Sequence, residues 1–471
     1  GRTVNGTLLE QYLRNAEDIA ADAVARGQPF DCQGGCGDRF VREFLPRVFR
    51  GRVTQEQRDQ FAALFAEFGD DGMEAALHAA LSSPYFLYRH EAGSGALETA
   101  SSLAFMLTGA GPDEALLQAA RDGRLSSEAE LRMHIERLLD GPAGRRRVGD
   151  FIVEWFGFEG VASVNRPHAP ELTPEVRAAM VEEVRQHFLH IVYGEAPYSE
   201  LYGGDYTFLN DTLARYYGVQ GDFGPDFQRA QVEGRGGPIA SGAFMTLHAH
   251  AERSAPIRRA VHAREEALCQ TIAPPNSPLA GDDIDMQRAL AQARVAEREQ
   301  QEGQLSSRDF YFEYTDGIDA CASCHEKTIN PMFGMEDFDN VGRFRPTAGP
   351  GEVFETVGGQ QKRVSLAGTM YGVESTSDPT TIEFAGAKDL SNKISTSDAL
   401  DRCLVRKTFR WATGLPLTDR DVDGAHREDL SPERRRAHAC LERRLLEAYE
   451  EAGEDPRALI VELALQSLLA R

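Results

Sequence analysis

The stretch Cys321-Ala322-Ser323-Cys324-His325 constrains this 471-residue chain more than any other. Two thiols three positions apart, followed at once by a histidine, form the attachment pattern of a c-type haem. On one helical turn the thiols meet the two vinyl groups of one porphyrin, and the histidine presents its imidazole to the iron from the proximal side. A zinc site would repeat the CxxC or add a paired HxxxH, and a redox dithiol would sit in a βαβ context. The surrounding sequence shows neither. The pattern predicts one covalent haem c, held by Cys321 and Cys324 and ligated by His325. A di-haem enzyme would need a second such motif, and the sequence has one.

Haem c is attached outside the reducing cytosol in bacteria, so the remaining cysteines are candidates for disulfides. Cys32 and Cys36 sit in the glycine-rich turn Asp31-Cys32-Gln33-Gly34-Gly35-Cys36-Gly37, short enough to close a local bridge. Cys403 and Cys440 lie on two helix-like stretches that a second bridge would staple. Cys269 is then left over, and ordinary core thiols are the alternative for the whole set.

Hydrophobic residues make up 41% and charged residues 27%, an ordinary soluble balance that excludes wholesale disorder. The 74 acidic side chains outnumber the 51 basic ones, for a net charge of −23. Such a chain repels phosphate backbones, which excludes nucleic acid as a partner and favours a basic protein partner. No apolar run approaches the ~18 residues of a membrane span. The start at Gly1, without an initiator methionine or a signal-type pattern, fits a processed chain or one cut at its N-terminus.

Apolar residues recur at helical spacing through most of the chain. Thr54 is placed to cap a helix over residues 55–68, and Thr173 with Pro174 to open a long one ending near Tyr193. Residues 227–232 read as a strand. Glu352–Leu366, interrupted by Gly358-Gly359, reads as a β-hairpin. The expectation is a mainly α fold, a multi-helical array with a C-terminal cytochrome c-like haem domain and a small β-hairpin. Its expected parts are an N-terminal helical domain (1–160), a middle helical domain (161–275), a polar connector (276–303) and a haem domain with C-terminal helices (304–471).

Several segments together resemble the large cytochrome c-bearing multidomain proteins of planctomycetes and myxobacteria, built mostly from domains of unknown function. They are Phe40-Val41-Arg42-Glu43-Phe44 through Phe49-Arg50; Asp205-Tyr206-Thr207-Phe208-Leu209-Asn210 with Tyr216-Tyr217-Gly218; and Ser254-Ala255-Pro256-Ile257-Arg258-Arg259 leading to Leu268-Cys269-Gln270. The haem box from Cys321 through Asn330-Pro331 to Glu336-Asp337-Phe338-Asp339-Asn340-Val341-Gly342-Arg343-Phe344 follows, and the terminal pattern of Cys403, Phe409-Arg410-Trp411-Ala412 and Cys440 resembles the closing segment. The usual Pro-x-Gly-Phe after the haem histidine reads here as Pro331-Met332-Phe333-Gly334. The resemblance implies a periplasmic or secreted c-type cytochrome and supplies no substrate.

The sixth iron ligand decides between electron transfer and ligand activation. Met370, 45 residues beyond His325, has the reach to meet the far face of the iron. Met332 and Met335 are closer alternatives, His248 and His250 would give a bis-histidine centre, and an open site also stands. Arg343 and Arg345 are candidates for the haem propionates, with ordinary ion pairing as the alternative. Phe333, Phe338 and Phe344 are expected against the porphyrin. Asp419, Asp421 and Asp423 with Gly424 reproduce the first half of an EF-hand calcium loop, although its twelfth position is Leu430. A solvated acidic turn is the alternative. The functional expectation is electron transfer by a monohaem cytochrome. Two other readings stand beside it. One is a haem-dependent oxidoreductase whose N-terminal domains bind substrate, with His248, His250 and Glu252 as its best polar cluster. The other is a structural subunit of a larger redox assembly.

Overall fold

The computed structural model describes residues 6–30, 34–88, 95–194, 196–272, 282–316, 324–373, 380–414 and 431–469. The chain divides into two compact units, one formed by Gly1–Arg147 with Ala464–Arg471 and the other by Val148–Leu463. As expected, the described residues are mainly helical with a few small sheets.

In the first unit, Phe40 is fully buried, and its ring lies 5.0 Å from Phe44, 5.8 Å from Phe61 and 5.5 Å from Phe65. The segment is broken into a helical turn at Cys36–Arg39, a π-helical turn at Phe40–Phe44 and a further helical turn at Leu45–Val48. Pro46 has no N–H to donate in a regular helix, and the wider turn ahead of it absorbs that loss. Thr54 caps Gln55–Phe68 through a reciprocal capping box with Gln57.

The second unit is organised on the helix Pro174–Tyr193, capped by Thr173 as the sequence predicts. Its buried stripe runs Val176, Ala179, Met180, Glu183, Val184, His187, Phe188, Ile191. The two polar members of that stripe have partners. Glu183 accepts from the Thr207 hydroxyl at 2.6 Å and the Tyr217 hydroxyl at 2.8 Å, and His187 Nδ1 accepts from the Gly237 N–H at 3.3 Å. Strands β1 (Thr207–Leu209) and β2 (Gln228–Ala230) pair antiparallel. Strands β3 (Thr347–Gly349), β4 (Glu352–Val357) and β5 (Gln360–Ser365) form a three-stranded sheet whose β4–β5 part is the expected hairpin. Strands β6 (Ala367–Val373) and β7 (Thr380–Ala385) make a further antiparallel pair.

The expected Cys403–Cys440 bridge is corrected. Cys403, fully buried on the helix Asp398–Thr413, is bonded to Cys269, with Cα atoms 5.2 Å apart. Cys269 stands at φ 51°, a left-handed residue just past the turn Ala263–Ala267, where the helical path ends. Cys440 is an exposed thiol. Its helix, Pro432–Glu451, turns it to solvent, so no geometry brings it to Cys403. Cys36 is disulfide-bonded, and Cys32 lies outside the described residues. The Cys269–Cys403 bridge closes a span of 134 residues. Its removal as Cys403→Ser is expected to cost about 2–5 kcal/mol in denaturant unfolding. On the native chain, a maleimide should label Cys440 and spare Cys269 and Cys403. Labelling of Cys403 without denaturant would contradict the pairing.

Candidate functional site

Cys324 is half-buried, and His325 opens a π-helical turn, His325–Ile329. In a π-helix the backbone repeat is five residues, which sets residue 330 beside residue 325. Asn330 Oδ1 lies 2.8 Å from His325 Nδ1, and Asn330 Nδ2 donates to Thr315 Oγ1 at 2.9 Å. The Thr315 hydroxyl in turn donates to the Tyr311 carbonyl at 2.7 Å, within the helix Ser307–Thr315. This chain fixes the polarity of every member. Thr315 spends its hydrogen on a carbonyl, so its oxygen accepts from the Asn330 amide nitrogen. Asn330 therefore turns its oxygen to His325, which must donate from Nδ1. The lone pair is left on Nε2, and burial holds this imidazole below its ordinary pKa, against the opposing hydrogen bond from Asn330. A neutral imidazole with Nδ1–H anchored and Nε2 available is the form that ligates a metal. The donor set therefore fits a haem iron on His325.

The candidate sixth ligands fall into different surroundings. Met370 is 1% exposed on β6, and that strand packs against both His325–Ile329 and the turn Asn330–Met332. The approach is close at Gly334, where a Cβ would stand 2.5 Å from the Leu366 carbonyl oxygen and 2.9 Å from the Gly368 nitrogen. The Met332 sulfur accepts from Arg264 Nε at 3.0 Å, and Met335 is buried. His248 is buried with its ring 4.0 Å from that of His262, and His250 stacks on Tyr311 at 5.7 Å. Glu252 is exposed.

Residues 336–344, read from sequence as the tail of a haem box, are built into the scaffold together with Arg345. Glu336 is fully buried between two arginines, with Oε1 3.1 Å from Arg259 and Oε2 2.7 Å from Arg345. Arg345 also reaches Glu355 at 2.8 Å, and Glu355 accepts from the Ser307 N–H and hydroxyl. Both terminal nitrogens of Arg345 are thus committed to protein groups. Arg343 pairs with Glu171 at 2.6 Å and Asp339 at 3.2 Å, so both arginines show ordinary ion pairing. Phe344 is 39% exposed and stacks on buried Phe338 at 4.6 Å, while Arg235 lies over both rings. Phe333 is buried.

The loop carrying these residues has little regular structure, so its buried carbonyls need donors from elsewhere. Arginines supply them. Arg308 donates to the Phe333 carbonyl, Arg259 to those of Met335, Phe338 and Asp339, Arg166 to Asn340 and Arg235 to Gly342. Sequence reasoning missed this set, although the density of arginine in residues 253–264 was a usable signal. Cys321 and the acidic run Asp419, Asp421 and Asp423 lie outside the described residues. Among the described residues, no group of three or more histidine, cysteine, aspartate or glutamate side chains is arranged to hold a metal ion, and no helix is long and apolar enough to cross a membrane.

Three family models match the chain in succession. Residues 36–91 match PSD5 (DUF1595), residues 95–219 match PSD4 (DUF1592) and residues 235–348 match PSCyt3 (DUF1588), each described as a protein of unknown function. This succession is the planctomycete-type, cytochrome c-associated multidomain arrangement. No curated protein and no solved structure matches the chain.

Two predictions test the loop. Glu336→Gln strips the buried arginines of their shared counter-charge and should cost about 3–5 kcal/mol in urea unfolding. A loss below about 1 kcal/mol would contradict the network's role. Asp337, whose carboxylate accepts from the Ala387 N–H, is pushed up by burial from 3.8 to about 6. The folded state therefore holds this proton more tightly than the unfolded chain. That contribution is full below pH 3.8 and is lost as the pH rises through 6. The stability of the parent chain relative to Asp337→Asn should fall between pH 4 and pH 6. A pH-independent difference would refute it.

Proposed function

We propose that this chain is a monohaem c-type cytochrome that transfers electrons outside the reducing cytosol. The observation that carries the reading is the His325–Asn330–Thr315 chain behind the CxxCH motif, which leaves Nε2 of a neutral imidazole as the available ligand. A haem bound through Cys321 and Cys324 would supply a one-electron ferric/ferrous couple. The protein's part is to hold that imidazole rigidly, because a ligand that keeps its geometry lowers the reorganisation on electron transfer. The relay into the Ser307–Thr315 helix and the packing of β6 on the same turn serve this end. Met370, buried on that strand, is the sixth ligand we assign.

The disulfide Cys269–Cys403 supports folding in an oxidising compartment, periplasmic or extracellular. A net charge of −23 would draw a basic redox partner, with an encounter rate that falls as salt rises. A specific observation keeps a second reading, that of an oxidoreductase with a substrate-binding N-terminal region. A cleft of about 480 Å³ in the first unit, lined by Phe30, Phe44, Arg39, Arg47 and Pro112, has the size of a small-molecule site.

Chain produced with haem-attachment machinery should give a pyridine haemochrome spectrum of one haem c per chain, and failure to do so would end the electron-transfer reading. The ferric protein should show the far-red band of methionine–iron ligation, and Met370→Ala should abolish it. Persistence of the band in that variant would move the ligand elsewhere.

A further inference from the structure

The chain's 74 acidic side chains outnumber its 51 basic ones, yet Arg166, Arg253 and Arg258 form no ion pair among the described residues. Arg166 donates only to backbone carbonyls, those of Asn165, Thr246, Ala249 and Asn340. Arg253 lies over the Phe310 ring at 4.6 Å, with its Nη1 buried and unpartnered. Arg258 is exposed in the first turn of the helix Pro256–His262.

All three act on His250: Arg166 donates to the Ala249 carbonyl beside it, the Arg253 carbonyl accepts its backbone N–H, and Arg258 acts on its ring electrostatically. Besides its burial, their charges hold the His250 imidazole below its ordinary pKa. The His250 N–H donates to the Arg253 carbonyl at 2.9 Å, closing a tight turn, and its ring stacks on Tyr311. His248, two residues away, is 6% exposed and keeps its Nε2 buried without a partner. Glu336, the carboxylate that acts on Tyr311, is already shared between Arg259 and Arg345. Like charges gathered in a partly buried place repel, and the cost is lifted when an anion sits among them.

We propose that Arg253, Arg258 and His250, backed by Arg166, form a carboxylate-binding site. The guanidinium fork matches the two oxygens of a carboxylate with parallel hydrogen bonds. The helix Pro256–His262 packs against His325–Ile329 and against Ser307–Thr315, and the relay from His325 ends on the carbonyl of Tyr311, whose ring covers His250. The carboxylate has two possible sources, the propionates of a haem attached at Cys321 and Cys324 or a free small carboxylic acid. The first source rests on the function proposed above, and the second does not.

The test uses the full chain and the variants Arg258→Gln and Arg253→Gln. Arg258 is exposed, so R258Q should keep the parent thermal unfolding midpoint and remain informative if R253Q folds poorly. Absorbance first establishes whether haem is attached. In haem-loaded protein the propionate bending band in resonance Raman should shift in R258Q. In haem-free protein succinate, followed by titration calorimetry, should bind the parent chain and bind R258Q about tenfold more weakly. A chain made with haem-attachment machinery that still lacks haem but binds succinate through Arg258 would end the cytochrome reading and uphold this site. A loaded chain whose propionate band does not move, or a haem-free chain whose succinate binding is absent or unchanged in R258Q, would overturn it.

Discussion

The second unit depends on one buried carboxylate. Glu336 is fully shielded from water and holds Arg259 and Arg345 together, and through Arg345 it reaches Glu355 and the start of the Ser307–Thr315 helix. Two arginines and two glutamates make the cluster neutral, which is what allows so many charges to be buried. Arg259 then spends its other donors on carbonyls of the 333–345 loop. The same ion cluster thus orders the loop, the strand β4 that carries Glu355 and the helix that carries Thr315.

That order reaches the candidate site by short steps. Thr315 receives the Asn330 amide, and Asn330 fixes the His325 tautomer. Gly334 lets the same segment approach β6 without a side chain in the way, and Gly342, at φ 77°, lets the loop pass within contact of Gly242. A histidine held in this way is preorganised, which a solvent-facing histidine would not be.

Local signals in the sequence were legible. Thr54 and Thr173 cap the helices they were expected to cap, and Gly358-Gly359 closes the β4–β5 hairpin. What escaped depends on which partners the folded backbone brings side by side. Cys403 sits equally well on a helix facing Cys440 or Cys269 until the tertiary approach chooses Cys269. Arg343 and Arg345 have the right side chain for a propionate, but Glu171, 172 residues away in the chain, takes up Arg343, and the nearer Glu336 and Glu355 take up Arg345 once the loop and β4 fold together. The role of Asn330 is hidden in the sequence, because a five-residue spacing is a neighbour relation in a π-helical turn and not in an α-helix.

The role of the Cys-His turn can be tested on one peptide. Protein made with haem-attachment machinery is digested, and the peptide containing Cys321 and Cys324 is examined by mass spectrometry. The expected result is one porphyrin joined to that peptide through two thioether bonds. A peptide recovered with both thiols unmodified, or with the two joined to each other, would contradict it.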